Sequence, residues 1–127
     1  MIALIVDDSS AMRRIQQRAL EPDGWQVVLA ATGEEALTRL DELPRCDLLL
    51  TDWHMPGMGG LELVRAVRRL GRHVDMKILM VTSESVLDCI EEAIEAGAND
   101  FVMKPFPREA LLERVSSVMA GNGPTIT

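Results

Sequence analysis

Five short runs of apolar, largely β-branched residues, each followed by a stretch with helical spacing, limit the folds open to this chain. The runs are "ALIV" (3–6), "WQVVL" (25–29), "DLLLT" (47–51), "KILMV" (77–81) and "DFVM" (100–103). Such runs, bounded by turn residues, read as strands. Between them, Ser9 or Ser10 can cap a first helix carrying Met12, Ile15 and Ala19 on one face and stopping near Pro22 and Gly24. "GEEALTRL" makes a second helix. Leu61, Val64 and Val67 mark a third, Val86, Ile90, Ala93 and Ile94 a fourth that Gly97 terminates, and Leu111, Leu112, Val115, Val118 and Met119 a fifth. Parallel strands need crossovers, and the crossover helices cover both faces of the sheet. The expected fold is therefore α/β: a doubly wound (βα)5 three-layer sandwich.

Length and charge remove several functional classes. A chain of 127 residues is one domain's worth and needs no disulfide or metal staple. No stretch approaches the roughly 18 consecutive apolar residues of a membrane span, and "MIALIVDD" has no signal-peptide character. A cytoplasmic protein without membrane insertion is expected. Cys46 and Cys89 lack metal-site spacing and are taken as small hydrophobes. A net charge of −7 argues against direct nucleic-acid binding, which rests on clustered positive charge.

The polar residues fall in one place. Asp7 and Asp8 follow the first strand, Asp52 ends the third, Thr82 ends the fourth and Lys104 follows the fifth. All are carboxyl ends, which share one edge of an open α/β sheet, where ligands bind. The second strand ends in "AATG" and brings no charge, as suits a strand away from the site. Three close carboxylates repel one another unless protons or a cation intervene. The oxygen-only donor set suits Mg²⁺, which often shares its sphere with phosphate. A metal, an ammonium and a hydroxyl are the groups that stabilise a phosphoryl group in transfer, and a carboxylate beside them can be the nucleophile. Asp52, alone on its strand, is the candidate.

These residues resemble the receiver domain of two-component response regulators. "VDDS" after strand one, "DWHMPGMGG" matching D-x-x-M-P-x-M-x-G, "VTS" after strand four and "KPF" after strand five match in order and spacing over residues 1 to about 119. The resemblance implies a flavodoxin-like sheet of order 2-1-3-4-5 and phosphorylation of Asp52 by a histidine kinase or histidine phosphotransfer protein. It implies Mg²⁺ held by Asp8, Asp52 and the backbone carbonyl of His54, with Asp7 reaching the ion through water. It further implies Lys104 on the phosphoryl oxygens and a cis Lys104–Pro105 bond. The His54 side chain, two residues after the phosphoacceptor, would tune dephosphorylation.

Thr82 and Phe101 would form the switch, and the downstream protein target would bind the face of helix four, strand five and helix five. Phe101 has no hydroxyl, so packing alone is expected to separate its two positions. Arg13, Arg14 and Arg18 line helix one, the face such proteins commonly offer to a phosphodonor; Asp88, Glu91, Glu92 and Glu95 make helix four acidic. Residues 1–119 form the expected receiver domain and 120–127 a flexible tail. Too little chain follows Met119 for a helix-turn-helix effector. The chain is read as a stand-alone regulator like the single-domain chemotaxis regulator, monomeric before phosphorylation, or as a receiver cut from a longer protein.

Two other classes fit poorly. The D-x-D-x-T signature of haloacid-dehalogenase-like phosphatases is absent, because Trp53 and His54 follow Asp52. A flavin carrier would need a phosphate-binding loop after strand one, where "DDSSAM" puts two anions. The protein is therefore expected to signal rather than to turn over a substrate, although it would assist its own phosphorylation and dephosphorylation.

Overall fold

The structure, a computed structural model, describes residues 1–83 and 87–123, without the side chains of residues 87 and 88. Val86 and the Asp88 side chain, which the sequence assigns to the fourth helix, lie outside the described residues, as do the last four residues of the tail. Five strands alternate with five helices: β1 (Ile2–Val6), α1 (Ser10–Leu20), β2 (Gln26–Ala30), α2 (Gly33–Glu42), β3 (Leu48–Asp52), α3 (Gly60–Arg69), β4 (Lys77–Thr82), α4 (Leu87–Ala96), β5 (Asp100–Met103) and α5 (Arg108–Met119). All strand pairs are parallel, and their order is β2-β1-β3-β4-β5. Asp52 is thus the last residue of the central strand, the end at which the sequence places it.

Burial follows strand position. Every residue of β3 is buried, whereas β2 is largely half-exposed and β5 alternates buried and half-buried, as edge strands do. Alternate side chains feed two cores. Leu4, Leu49, Ile78 and Met80 meet Ala36, Leu40, Leu63, Val64, Val67 and Ala93 of α2, α3 and α4. Ala3, Ile5, Leu48, Leu50, Leu79 and Val81 meet Ala19, Leu20, Leu111, Val115 and Val118 of α1 and α5. The helices therefore split two and three across the sheet, giving the three layers.

Local chemistry sets the helix ends. Ser9, not Ser10, caps α1 by accepting from the Met12 N–H at 3.2 Å, and Gly24 (φ +95°) closes the 3-10 turn Glu21–Asp23 that follows it. Thr32 accepts from Glu35 N–H while Glu35 Oε1 accepts from Ala31 N–H, a reciprocal cap for α2. Gly97 terminates α4 at φ +123°.

One helix has a different phase from the one its apolar residues suggest. Gln16, Ala19 and Leu20 are the buried residues of α1, whereas Ile15 is 51% exposed. The buried position goes to an amide whose Nε2 has no partner among the described residues, and the β-branched apolar side chain points to solvent. Hydrophobicity alone therefore misplaces this helix by about a quarter turn.

Candidate functional site

Parallel register brings the carboxyl ends of β1, β3, β4 and β5 to one edge, and the predicted site residues come with them. Asp7 follows the last residue of β1, Val6, which pairs with Thr51 immediately before Asp52. Asp52 in turn pairs with Val81, immediately before Thr82. Carboxylate oxygens of Asp7, Asp8 and Asp52 all lie within 4.8 Å of one another. Lys104 Nζ bridges two of them, 3.1 Å from Asp7 Oδ2 and 3.2 Å from Asp52 Oδ1.

Each carboxylate sits differently. Asp7 is 1% exposed and accepts the Ser9 N–H on Oδ1 at 2.9 Å as well as Lys104 on Oδ2, so both oxygens are engaged. Asp8 faces solvent. Asp52 is 9% exposed, and its Oδ1 accepts the Trp53 N–H at 2.8 Å. Burial pushes the Asp52 carboxyl above the usual carboxylate range and Asp7's charge adds to that, against the opposing pull of Lys104 and the Trp53 N–H. Three acidic groups against one ammonium leave negative charge in excess, and an oxygen-only set of this kind fits a hard divalent cation better than a zinc or copper ion.

The backbone around Asp52 is tightly held. Gly60 N–H donates to Trp53 O at 2.9 Å, and a Cβ on Gly60 would come 2.0 Å from the Asp52 carbonyl oxygen. Only glycine lets α3 start this close to the strand end. Thr82 is buried at the end of β4, its carbonyl accepting the Lys104 N–H at 2.7 Å, which ties the two strand ends together. Lys104–Pro105 is cis, as the resemblance implies. The His54 side chain is exposed in the loop after Asp52.

Beside Lys104 a groove of about 350 Å³, mostly apolar, is lined by Met12, Ile15, Ser83, Lys104, Pro105 and Phe106. The exposed Ile15 of α1 therefore forms part of its wall. Of the helix-one arginines, Arg13 folds back to donate to the Asp7 carbonyl at 2.7 Å, leaving Arg14 and Arg18 exposed. On the acidic fourth helix, Glu92 reaches Arg65 of α3 at 3.5 Å. Cys46 is buried with its thiol pushed up to about 11 by burial, and Cys89 is half-buried; both are far from a metal-binding pattern among the described residues.

Phe101 is only partly buried, and packing is not its sole restraint. The Arg114 guanidinium of α5 lies 5.2 Å from the centre of its ring. The same Arg114 Nη1 donates to Phe101 O at 2.7 Å and to Asp100 Oδ1 at 3.1 Å. No local sequence signal announces this contact, because Arg114 lies thirteen residues away on another element.

Comparison with known proteins agrees with this geometry. The family model described as the response regulator receiver domain matches residues 3–116. The chain is 41% identical over 123 residues to chemotaxis protein CheY1 of Helicobacter pylori, covering 96% of this chain and 99% of that protein. It is 44% identical over 119 residues to chemotaxis protein CheY of Pseudomonas aeruginosa, covering 93% and 95%. The solved structure of Vibrio cholerae chemotaxis protein CheY4 superposes with a TM-score of 0.87 at 35% identity, covering 92% of this chain and 97% of that one.

Proposed function

Since this chain belongs to the response regulator receiver family, we propose that Asp52 accepts a phosphoryl group from a histidine kinase or histidine phosphotransfer protein, and that this charge reshapes a protein-binding face. The observation that carries the reading is the cluster of Asp7, Asp8 and Asp52, two of whose carboxylates the Lys104 ammonium bridges. Asp7, Asp8 and Asp52, with the backbone carbonyl of His54, would hold Mg²⁺, which when bound offsets the charge of phosphoryl oxygens.

An Asp52 carboxylate oxygen attacks phosphorus, the phosphorus–nitrogen bond of the donor breaks, and its electron pair returns to the leaving imidazole. Lys104, on a half-buried stem within reach of Asp52, turns from the carboxylates to the phosphoryl oxygens. The Thr82 hydroxyl, at the end of the adjacent strand, is drawn in by the same charge. Asp7 stays anchored through the Ser9 N–H and keeps negative charge beside the nucleophile. The exposed His54 side chain at the mouth of the site tunes the attack of water that returns Asp52 to its free state.

Residues 1–119 act as the receiver and 120–127 as a tail. The groove between Met12 and Phe106 supports docking of the phosphodonor next to Lys104. The output partner binds the α4–β5–α5 face as Thr82 and Phe101 rearrange, in a chemotaxis-like pathway in the cytoplasm. The protein is a monomer until phosphorylated. None of its helices, among the described residues, is long and apolar enough to cross a membrane.

Acetyl phosphate with Mg²⁺ tests the assignment without a partner. Intact-mass measurement should show one phosphoryl group gained by the native protein and none by Asp52→Asn, because an amide cannot form the acyl phosphate. A phosphate retained by the Asn variant would overturn the nucleophile.

A further inference from the structure

Arg114 does more than neutralise a buried acid. Asp100 is wholly buried at the start of β5, and its Oδ1 accepts both the Phe101 N–H at 2.8 Å and Arg114 Nη1 at 3.1 Å. An arginine placed only to satisfy a carboxylate would present its fork to both oxygens. Here Oδ2 has no partner among the described residues, while the guanidinium lies over the Phe101 ring and shares Nη1 with the Phe101 carbonyl. The cation is thus committed to Phe101 on two sides, backbone and ring, with Asp100 fixing its position from below.

We propose that Arg114 is a positioning residue for Phe101, holding the ring in the partly exposed place recorded here and setting how readily it moves when Asp52 is charged. The inference rests on the receiver reading. A ring that moves to its second position as Thr82 is drawn toward the phosphoryl group gives up its attraction to the guanidinium, whereas the carbonyl and carboxylate contacts of Arg114 can stay. Arg114 therefore favours one ring position over the other. By linkage, a contact that stabilises the resting position weakens every ligand that needs the alternative one, by up to the same factor. A cation over an aromatic ring at a half-exposed site corresponds to about a two- to fivefold bias.

Removing the arginine alone strands a buried carboxylate and can unfold the domain, so the informative variant is Arg114→Met with Asp100→Asn. Magnesium with beryllofluoride serves as the phosphoryl probe, and its affinity is read by the fluorescence of Trp53, next to Asp52. The paired variant should bind the probe about two- to fivefold more tightly than the native protein, with Arg114→Lys in between because it keeps the charge and loses the flat stacking. With only two phenylalanines, fluorine-labelled protein gives two resonances, and Phe106→Leu assigns them. The Phe101 resonance of the native protein should shift when the probe saturates. Mere loss of structure lowers affinity, so a gain separates positioning from support. Equal or weaker affinity in the paired variant, with probe binding intact in the native protein, overturns the role of Arg114 alone. Failure of the native protein to bind the probe overturns the receiver reading and this proposal with it.

Discussion

At the amino edge of the sheet Asp47 is enclosed by donors, whereas at the carboxyl edge Asp52 shares its donors with two neighbouring acids. Asp47 Oδ2 accepts the Ile2 N–H at 2.9 Å and Oδ1 accepts Arg45. Against some loss of hydration, those contacts hold its carboxyl below the usual carboxylate range. Next to it Arg68 gives two bonds to Gly97 O and one each to Met76 O and Asn99 Oδ1, and Asn99 Oδ1 also accepts the Ile78 N–H. The amino edge is a closed set of matched donors and acceptors that stitches α3, β4 and the turn into β5. The carboxyl edge holds three clustered acids and one lysine that bridges two of them, with the Asp52 carboxyl displaced in the opposite direction. One edge spends its polar groups on stability and the other keeps charge unmatched until a ligand arrives, so the same strand, β3, is stabilised by the acid just before it and loaded by the acid that ends it.

Two substitutions break the comparison most sharply. Gly60→Ala puts a Cβ 2.0 Å from the Asp52 carbonyl oxygen and 3.0 Å from Trp53 Cα, backbone atoms that cannot yield without moving Asp52. It should cost on the order of 3–5 kcal/mol and also slow acyl-phosphate formation in whatever fraction remains folded. Urea unfolding and phosphorylation by acetyl phosphate measure the two losses. Arg68→Ala should cost somewhat less, about 2–4 kcal/mol, since it leaves the carbonyls of half-buried Gly97 and buried Met76 without this donor. Its phosphorylation rate, measured where both proteins are fully folded, should match the native one. A slowed rate would mean that the amino edge is not independent of the site.

The two edges were not equally legible in the sequence. Strand ends are marked by local changes of composition, so "DLLLTD" and "VMKPF" place Asp52 and Lys104 at one edge as soon as the strands are taken as parallel. The amino edge has no such mark. Arg68 meets partners 29 and 31 residues away, and Asp47 reaches back 45 residues to Ile2, distances over which periodicity carries no information. The same reason hides Arg114 behind Phe101. The phase of α1 failed differently: Gln16 faces inward and Ile15 outward toward the groove beside Lys104, so a surface suited to contact overrode the apolar pattern.

A smaller effect sharpens the electrostatic contrast. The carboxyl of Asp52 is raised in the folded chain, so the folded state binds its proton more tightly than the unfolded one; this stability is present at low pH and lost as pH rises through the folded value. At neutral pH the ionised Asp52 therefore costs stability, and Asp52→Asn should raise Tm by about 2–5 °C, the equivalent of ~1 kcal/mol in a domain of this size. The advantage should shrink as pH falls into the ordinary carboxylate range. An Asn variant less stable than the native protein at pH 7 would show that Lys104 balances the cluster by itself.

Asp47→Asn should give the smallest change, with the opposite sign. The depressed carboxyl of Asp47 is stabilising above its unfolded value, and that contribution is lost as pH falls through the lower folded value. Arg45 is 67% exposed, so water and salt screen its share of the interaction, and the bond from Ile2 N–H survives in part on the amide oxygen. The net cost at pH 7 should be under ~1 kcal/mol, reduced further by high salt. Thermal unfolding of the native protein, Asp47→Asn and Asp52→Asn across the acid range should then converge from opposite sides: the Asp47 variant starts below the native protein and the Asp52 variant above it. The Asp52 difference should vanish first, as pH reaches the ordinary carboxylate range, and the Asp47 difference only at lower pH, once its depressed carboxyl is protonated as well. If both variants instead lie on the same side at pH 7, charge is distributed alike at the two ends of the sheet, and the excess of acid at the carboxyl edge is not what sets Asp52 apart.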